Sequence, residues 1–269
     1  MTALPIRNTA FQSIESLDRD YTEVPASPKA TGFAEAKSLE TADALAARAN
    51  ALNASHGDQS ALDILDHAIN HVFRGRIALV SSFGAEAAVL LDLVATVNPA
   101  TPVIFLETGK HFAQTLSYRK KLARTLGLSD VRDIVPNPDR LQKVDPKGDL
   151  WRQSPDQCCD LRKTQPLKET LEGFDSWITG RKQFHGVTRQ GLPVFEASDP
   201  FIKVNPLARW RPEDVDAQFA ARDLPVHPLV GEGFPSIGCW PCTHPAEDGD
   251  VRGGRWRGQA KTECGIHRF

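Results

Sequence analysis

Two strand, turn and helix units in direct succession constrain this chain most. Residues 77–80 form a short apolar run suited to a buried strand, end in the polar turn Ser81-Ser82-Phe83-Gly84, and lead into a helical stretch at 85–95. Residues 102–106 repeat the pattern, with the turn Glu107-Thr108-Gly109-Lys110 and a helix at 111–126, and 131–135 reads as a third strand. Strands separated by helices of about 10 to 15 residues are joined by crossovers rather than hairpins, so the units predict an α/β fold with a parallel sheet covered on both faces. On such sheets ligands bind beyond the carboxyl ends of the strands, which is where both turns lie.

The flanks fill in around this frame. Residues 1–40 carry Pro5, Pro25, Pro28 and Gly32 with no sustained periodicity and read as a poorly ordered leader. Thr41 caps a first helical pattern and a second runs from Leu62 to Phe73. Beyond the third strand we expect a loop over 136–155, a helix over 156–171, strands at 176–180 and 201–204, and a helix over 212–222. The division is therefore a leader at 1–40, an α/β domain at 41–230 and a loop-rich C-terminal segment at 231–269.

Charge and hydropathy exclude several classes. Lys and Arg total 32 against 34 Asp and Glu, a net charge of -2, which argues against a protein built to neutralise long stretches of nucleic-acid backbone. The longest apolar run, 85–97, is interrupted by Glu86 and Asp92 and falls short of the roughly 20 residues of a membrane helix. The N-terminal region carries Glu15, Asp18, Asp20 and Glu23 rather than the basic-then-apolar order of a secretory signal. With an odd count of five cysteines, the expectation is a cytoplasmic protein whose thiols serve a metal or catalysis.

The turn Ser81-Ser82-Phe83-Gly84-Ala85-Glu86 offers hydroxyls and a helix start, which suit an anion, although it is neither a Walker loop nor a Gly-x-Gly-x-x-Gly fingerprint. Cys158-Cys159 and Cys239-x-x-Cys242 form a four-thiol set. Adjacent cysteines diverge by about 100° on a helix, so both serve one site only if that site is large. An iron-sulfur cluster meets that condition better than one zinc ion, yet a four-cysteine zinc site and inert buried thiols stay open on spacing alone. The fifth thiol, in Glu263-Cys264-Gly265-Ile266-His267, is a candidate nucleophile, its alternative being an incidental tail thiol; Glu263 is too generic to assign. Arg162 and Lys163 follow the cysteine pair, with Lys163 at i+4 from Cys159. Arg181, Lys182, Arg189, Arg209, Arg252, Arg255 and Arg257 supply further positive charge, and together these suggest a local anion pocket.

These segments, with Cys158-Cys159-Asp160-Leu161-Arg162-Lys163, Trp177-Ile178-Thr179-Gly180, Asn205-Pro206-Leu207, Ile237-Gly238-Cys239-Trp240-Pro241-Cys242-Thr243 and Arg252-Gly253-Gly254-Arg255-Trp256, stand in an order that resembles the assimilatory adenylyl-sulfate and phosphoadenylyl-sulfate reductases over roughly residues 60–268. The pattern is similar to the cluster-bearing, adenylyl-sulfate branch. Two departures are Arg181-Lys182-Gln183-Phe184-His185, where the family often has an arginine-rich run, and Ile266 in place of a commoner Leu.

The resemblance implies an adenine-nucleotide alpha hydrolase-like, ATP pyrophosphatase-like three-layer fold and reductive release of sulfite and AMP from adenosine 5′-phosphosulfate, in sulfate assimilation and cysteine biosynthesis. It further implies a 4Fe-4S cluster on Cys158, Cys159, Cys239 and Cys242, and Cys264 as the nucleophile that carries a thiosulfonate. Thioredoxin or glutaredoxin would be the reductant. Substrate contacts are implied for Ser81, Ser82, Phe83, Gly84, Glu107, Thr108, Gly109, Lys163, Arg181, Arg252, Arg255 and His267, with Lys163 between cluster and sulfate. No nucleic-acid or membrane partner is expected, and a homo-oligomer is left open. Reduction of the 3′-phosphorylated sulfonucleotide is the alternative, and a cluster-containing tRNA-thiolating enzyme, whose Ser-Gly-Gly-x-Asp-Ser loop is absent, is the more distant one.

Overall fold

Six short strands form one sheet: β1 (Ile77–Val80), β2 (Val103–Leu106), β3 (Val131–Ile134), β4 (Ser176–Ile178), β5 (Phe195–Ser198) and β6 (Phe201–Val204), in the spatial order β3-β2-β1-β4-β6-β5. The structure, a computed structural model, describes residues 40–186, 189–246, 250–258, 261 and 263–267, so the leader lies outside the described residues. The β1–β2, β2–β3, β1–β4 and β4–β6 pairs are parallel as expected. The sequence reading missed β5, which pairs antiparallel with β6 and makes the sheet mixed at that edge.

Side chains on the sheet alternate between two apolar layers, as the period of two requires. Ile77, Leu79, Val103, Phe105 and Ile178 face one cluster, together with Leu65, Val89, Leu122 and Val215 from helices α2 (Ala61–Asp66), α3 (Ala87–Val97), α4 (Ala113–Thr125) and α9 (Pro212–Ala221). Ala78, Ile104, Leu106 and Trp177 face the other, with Leu167 and Leu171 of α8 (Gln165–Leu171). Helix, sheet and helix thus form three layers. Helix α1 (Ala42–His56) joins the first cluster through Leu45 and Ala49, and Thr41 caps it by accepting a bond from the Ala44 N–H at 3.2 Å.

Two segments differ from expectation. The region read as a loop over 136–155 contains α5 (Pro138–Val144) and α6 (Leu150–Gln153), because Asn137-Pro138, which reads as a turn, is a helix start: Asn137 Oδ1 accepts from the Arg140 N–H at 3.0 Å and Pro138 occupies the first turn. The helix expected over 156–171 is α7 (Pro155–Cys159), a π-helical turn Asp160–Thr164, and α8. The Gln165 N–H donates to Asp160 O, five residues back, and this wider turn immediately precedes Pro166, which has no N–H to give.

His227 ties α4 to the C-terminal loops. It is fully buried, its Nδ1 accepts from the Leu229 N–H at 3.2 Å, and its Nε2 therefore carries the proton that faces Thr115 Oγ1 at 3.0 Å. Burial pushes its pKa down to about 4. Between that value and the ordinary 6.5 the unfolded chain binds a proton the native protein refuses, so stability falls as pH drops through this window. His111 is shifted to about 4 by the same cause and adds with the same sign. Urea unfolding at pH 7 and pH 5 should show a loss of about 1–3 kcal/mol, and His227→Gln should flatten that slope. An unchanged slope in the variant would contradict the assignment.

Candidate active site

Strand order reverses at β1, with β2 and β3 on one side and β4 and β6 on the other, the point at which an open α/β sheet parts its crossovers and leaves a crevice. A cavity of about 260 Å³ opens there, lined by Ser81, Ser82 and Gly84 after β1, by Thr179 to Lys182 after β4, by Ile237 and Gly238, and by Glu263, Cys264, Ile266 and His267. Gly84 has a physical reason, since a Cβ would lie 3.2 Å from Ile237 O.

Four of the expected contact residues do not line this cavity. Phe83, at φ 48°, turns its ring into the core edge-to-face against Phe105, with centroids 5.6 Å apart. Glu107 accepts from the Gly109 N–H at 2.9 Å and closes its own turn. Thr108 Oγ1 lies 3.3 Å from Cys239 Sγ, and Gly109, at φ 69°, leaves room for Arg162. These last two support the cysteines described below.

The basic side chains divide into two groups. After β4 they are paired with acids: Arg181 with Glu196 of β5, and Lys182 with Glu86, whose Oε2 lies 2.6 Å from Lys182 Nζ and 3.1 Å from His185 Nε2. Burial would raise the Glu86 pKa, but the bonds and charges of His185 and Lys182 outweigh it and bring the value to about 2. Around the tail, Arg252, Arg255 and Lys163 line the cavity with Cys264. His267 is kept neutral by burial first, and then by Arg181, Arg189, Lys203 and Arg252 around it. Its Nδ1 has no partner among the described residues.

The tail is docked. His267 stacks parallel on Trp177 at 5.4 Å, its carbonyl accepts from Lys203 Nζ at 2.9 Å, Ile266 packs on the Trp177 cluster, and Gly265 turns at φ 89°. Sequence reasoning named Lys182 and Arg189 only as members of a basic group and Glu86 only as the end of a turn, and it missed Glu196 and Lys203; the partners of Glu86 and Lys203 lie 96 and 64 positions away.

A second, smaller cavity gathers the other thiols. Cys158 and Cys159 at the end of α7, with Cys239 and Cys242, line it together with Arg162, Lys163, Arg255 and Trp256. Lys163, Arg255 and Trp256 line both cavities and so form the wall between them. All five cysteines are free. No three described His, Cys, Asp or Glu side chains converge tightly enough for a single metal ion. Burial raises the pKa of Cys159 to about 11; Cys158 and Cys242 are also raised, by burial and then chiefly by neighbouring thiols. Cys239 moves the other way, because the Lys163 charge, the Thr108 bond and Arg255 outweigh burial. Arg162 is anchored beneath, donating to Asp145 Oδ2 at 2.5 Å and Thr108 O at 2.8 Å. Arg162 Nε and Trp256 Nε1 are buried donors without a partner among the described residues.

A crevice at the switch point of an α/β sheet, a tail thiol on its lining and a four-thiol chamber behind a cationic wall define the candidate active site of an α/β enzyme fold. The chain matches the phosphoadenosine phosphosulfate reductase domain over residues 76–245, and it belongs to that family. It is 47% identical to the adenosine 5′-phosphosulfate reductase of Mesorhizobium japonicum, covering 84% of this chain and 89% of the relative. It is 45% identical to the enzyme of the same name from Mycobacterium tuberculosis, covering 67% of this chain and 72% of the relative. Among solved structures, it is similar to phosphoadenylyl-sulfate reductase from Candida auris, with a TM-score of 0.62, 26% identity, and coverage of 73% of this chain and 96% of that one. The FMN adenylyltransferase of Candida glabrata shares the fold alone, at a TM-score of 0.50 and 15% identity over 76% of this chain and 75% of that one.

Proposed function

We propose that the chain reduces adenosine 5′-phosphosulfate to sulfite and AMP, with Cys264 as nucleophile. The observation that carries this is the docking of Cys264 at a nucleotide-type cavity in the company of Lys163, Arg252 and Arg255. The Cys264 thiolate attacks the substrate sulfur, the bond from sulfur to the bridging oxygen breaks, and AMP leaves with the electron pair, so a sulfonate remains on Cys264. The cations offset the charge of the phosphosulfate as it shifts to the leaving phosphate. The thiolate of an external dithiol, of the thioredoxin or glutaredoxin kind, then attacks Cys264 Sγ and expels sulfite. Its second thiol resolves the mixed disulfide, returns Cys264 as a thiol, and closes the two-electron balance as a disulfide of the reductant.

The four-thiol chamber fits a 4Fe-4S cluster on Cys158, Cys159, Cys239 and Cys242. Supporting this are the soft donor set lining one small cavity and, on the same lining, the buried Arg162 Nε and Trp256 Nε1, which have no partner among the described residues. Bound there, such a cluster supplies a fixed electrostatic and structural element behind Lys163. The protein side of that arrangement is the anchoring of Arg162 by Asp145 and of Cys239 by Thr108. No described helix is long and apolar enough to cross a membrane, and a cytoplasmic setting, where free thiols persist, suits the chemistry.

Pairing in the segment after β4 favours the substrate without a 3′-phosphate. Arg181 and Lys182, the groups there able to meet a further phosphate, are engaged by Glu196 and Glu86, and an unmatched phosphate beside those carboxylates would be penalised. We expect kcat/KM for adenosine 5′-phosphosulfate to exceed that for the 3′-phosphorylated form by at least about tenfold, or roughly 1.4 kcal/mol of transition-state binding. Sulfite release from both nucleotides with thioredoxin as reductant checks it. Equal or reversed efficiencies would assign the chain to the 3′-phosphorylated substrate instead.

A further inference from the structure

Glu263 stands beside the proposed nucleophile and takes no part in the steps above, yet its carboxylate is gripped from two sides. Arg189 donates to Oε1 through Nη2 at 2.6 Å and Nε at 3.2 Å, and Arg252 Nη2 lies 3.4 Å from Oε2. Arg189 precedes β5, 74 positions away, and Arg252 lies 11 positions back in the C-terminal loops, so one carboxylate ties the tail to two separate stretches of chain. The Arg189 side chain is 10% exposed and that of Glu263 24%. In this half-dry setting a forked, charge-assisted contact holds better than a solvated surface pair. Two residues on, Gly265 turns at φ 89°, and beyond it His267 is fixed by Lys203 and Trp177. Cys264 therefore sits at the crest of a short loop with one foot on each side.

We propose that Glu263 is a positioning residue, whose clamp by Arg189 and Arg252 docks the near foot of this loop and keeps the Cys264 thiol at the cavity. The clamp is a claim about docking; its consequence for turnover rests on the reading of Cys264 as nucleophile. Without the clamp, the far foot still attaches the tail, but the thiol spends less time in line with the substrate sulfur. The expected signature is a lower rate of S-sulfonation at saturating substrate, with Cys264 more open to alkylation in the absence of substrate.

The test uses the full-length, cluster-bearing protein. Alkylation of Cys264 by iodoacetamide is followed without substrate by peptide mapping, and single-turnover S-sulfonation is followed with adenosine 5′-phosphosulfate and no reductant. Glu263→Gln and Arg189→Gln should each raise the alkylation rate by about fivefold or more, and the double variant should be no faster than the faster single one, because both remove one shared interaction. Glu263→Asp, which keeps the charge, should restore part of the protection. Cluster absorbance in each variant checks that the fold is intact. Unchanged alkylation in both single variants, or a double variant whose effect is the product of the two, would overturn the clamp. Absence of any sulfonate on Cys264 in the unaltered enzyme would instead defeat the functional reading, while the alkylation comparison still decides the clamp.

Discussion

Cys264→Ser is expected to lower sulfite formation by at least about three orders of magnitude, or roughly 4 kcal/mol of barrier, with the visible absorbance of the proposed cluster unchanged. A serine hydroxyl is a poor nucleophile at neutral pH and cannot form the thiosulfonate, whereas the four thiols of the rear chamber lie across the wall built by Lys163, Arg255 and Trp256. The substitution leaves the Glu263 and His267 contacts of the tail in place. Steady-state sulfite release and an absorption spectrum on the same preparation check both halves. Loss of colour together with activity would mean that the fifth thiol belongs to the metal set.

Cys239→Ser should have the opposite signature, a bleached protein that unfolds at much lower denaturant. On the proposed ligand set the thiolate would be both ligand and structural tie, and on the order of 5 kcal/mol of stability should be lost, because the binding free energy of a structural metal group is folding free energy. Cys239 is well placed to show this. It bridges to His111 after β2, it receives the Thr108 hydroxyl at 3.3 Å, and Lys163 lies beside it. Thr108→Val removes the hydroxyl's contacts with Cys239 Sγ and with the Lys110 N–H and should cost about 1–2 kcal/mol while leaving the four proposed ligands in place. Iron analysis and guanidinium unfolding separate the two variants. A fully loaded Cys239→Ser protein would show that the ligand set is wrong.

The frame of the fold was legible in the sequence because its signals are local. Strands β1, β2 and β6 and the turn after β1 announce themselves by an apolar run followed by Ser, Gly or Asn. Strand β5 was not legible, since Phe195–Ser198 alternates Glu196 and Ser198 with Phe195 and Ala197 and so offers no apolar run to mark it. Helix α5 was hidden because Asn-Pro begins turns and helices alike. At the site, the thiols could be found by spacing and by resemblance. The charge pairs could not: Glu86 meets Lys182 across 96 positions and Arg189 meets Glu263 across 74, separations that only the folded sheet closes. Phe83 shows the reverse error. It sits inside a motif that reads as a binding turn, but its positive φ directs the ring into the core, and the turn presents Ser81, Ser82 and Gly84 to the cavity instead.

The most direct measurement is the intact mass of the purified enzyme after incubation with adenosine 5′-phosphosulfate in the absence of any reductant, followed by peptide mapping. The expected result is one sulfonate group per chain, carried on Cys264, formed with a stoichiometric amount of AMP and released as sulfite when thioredoxin is added. An unmodified Cys264, or a sulfonate mapped to any other residue while sulfite is still produced with thioredoxin, would contradict it.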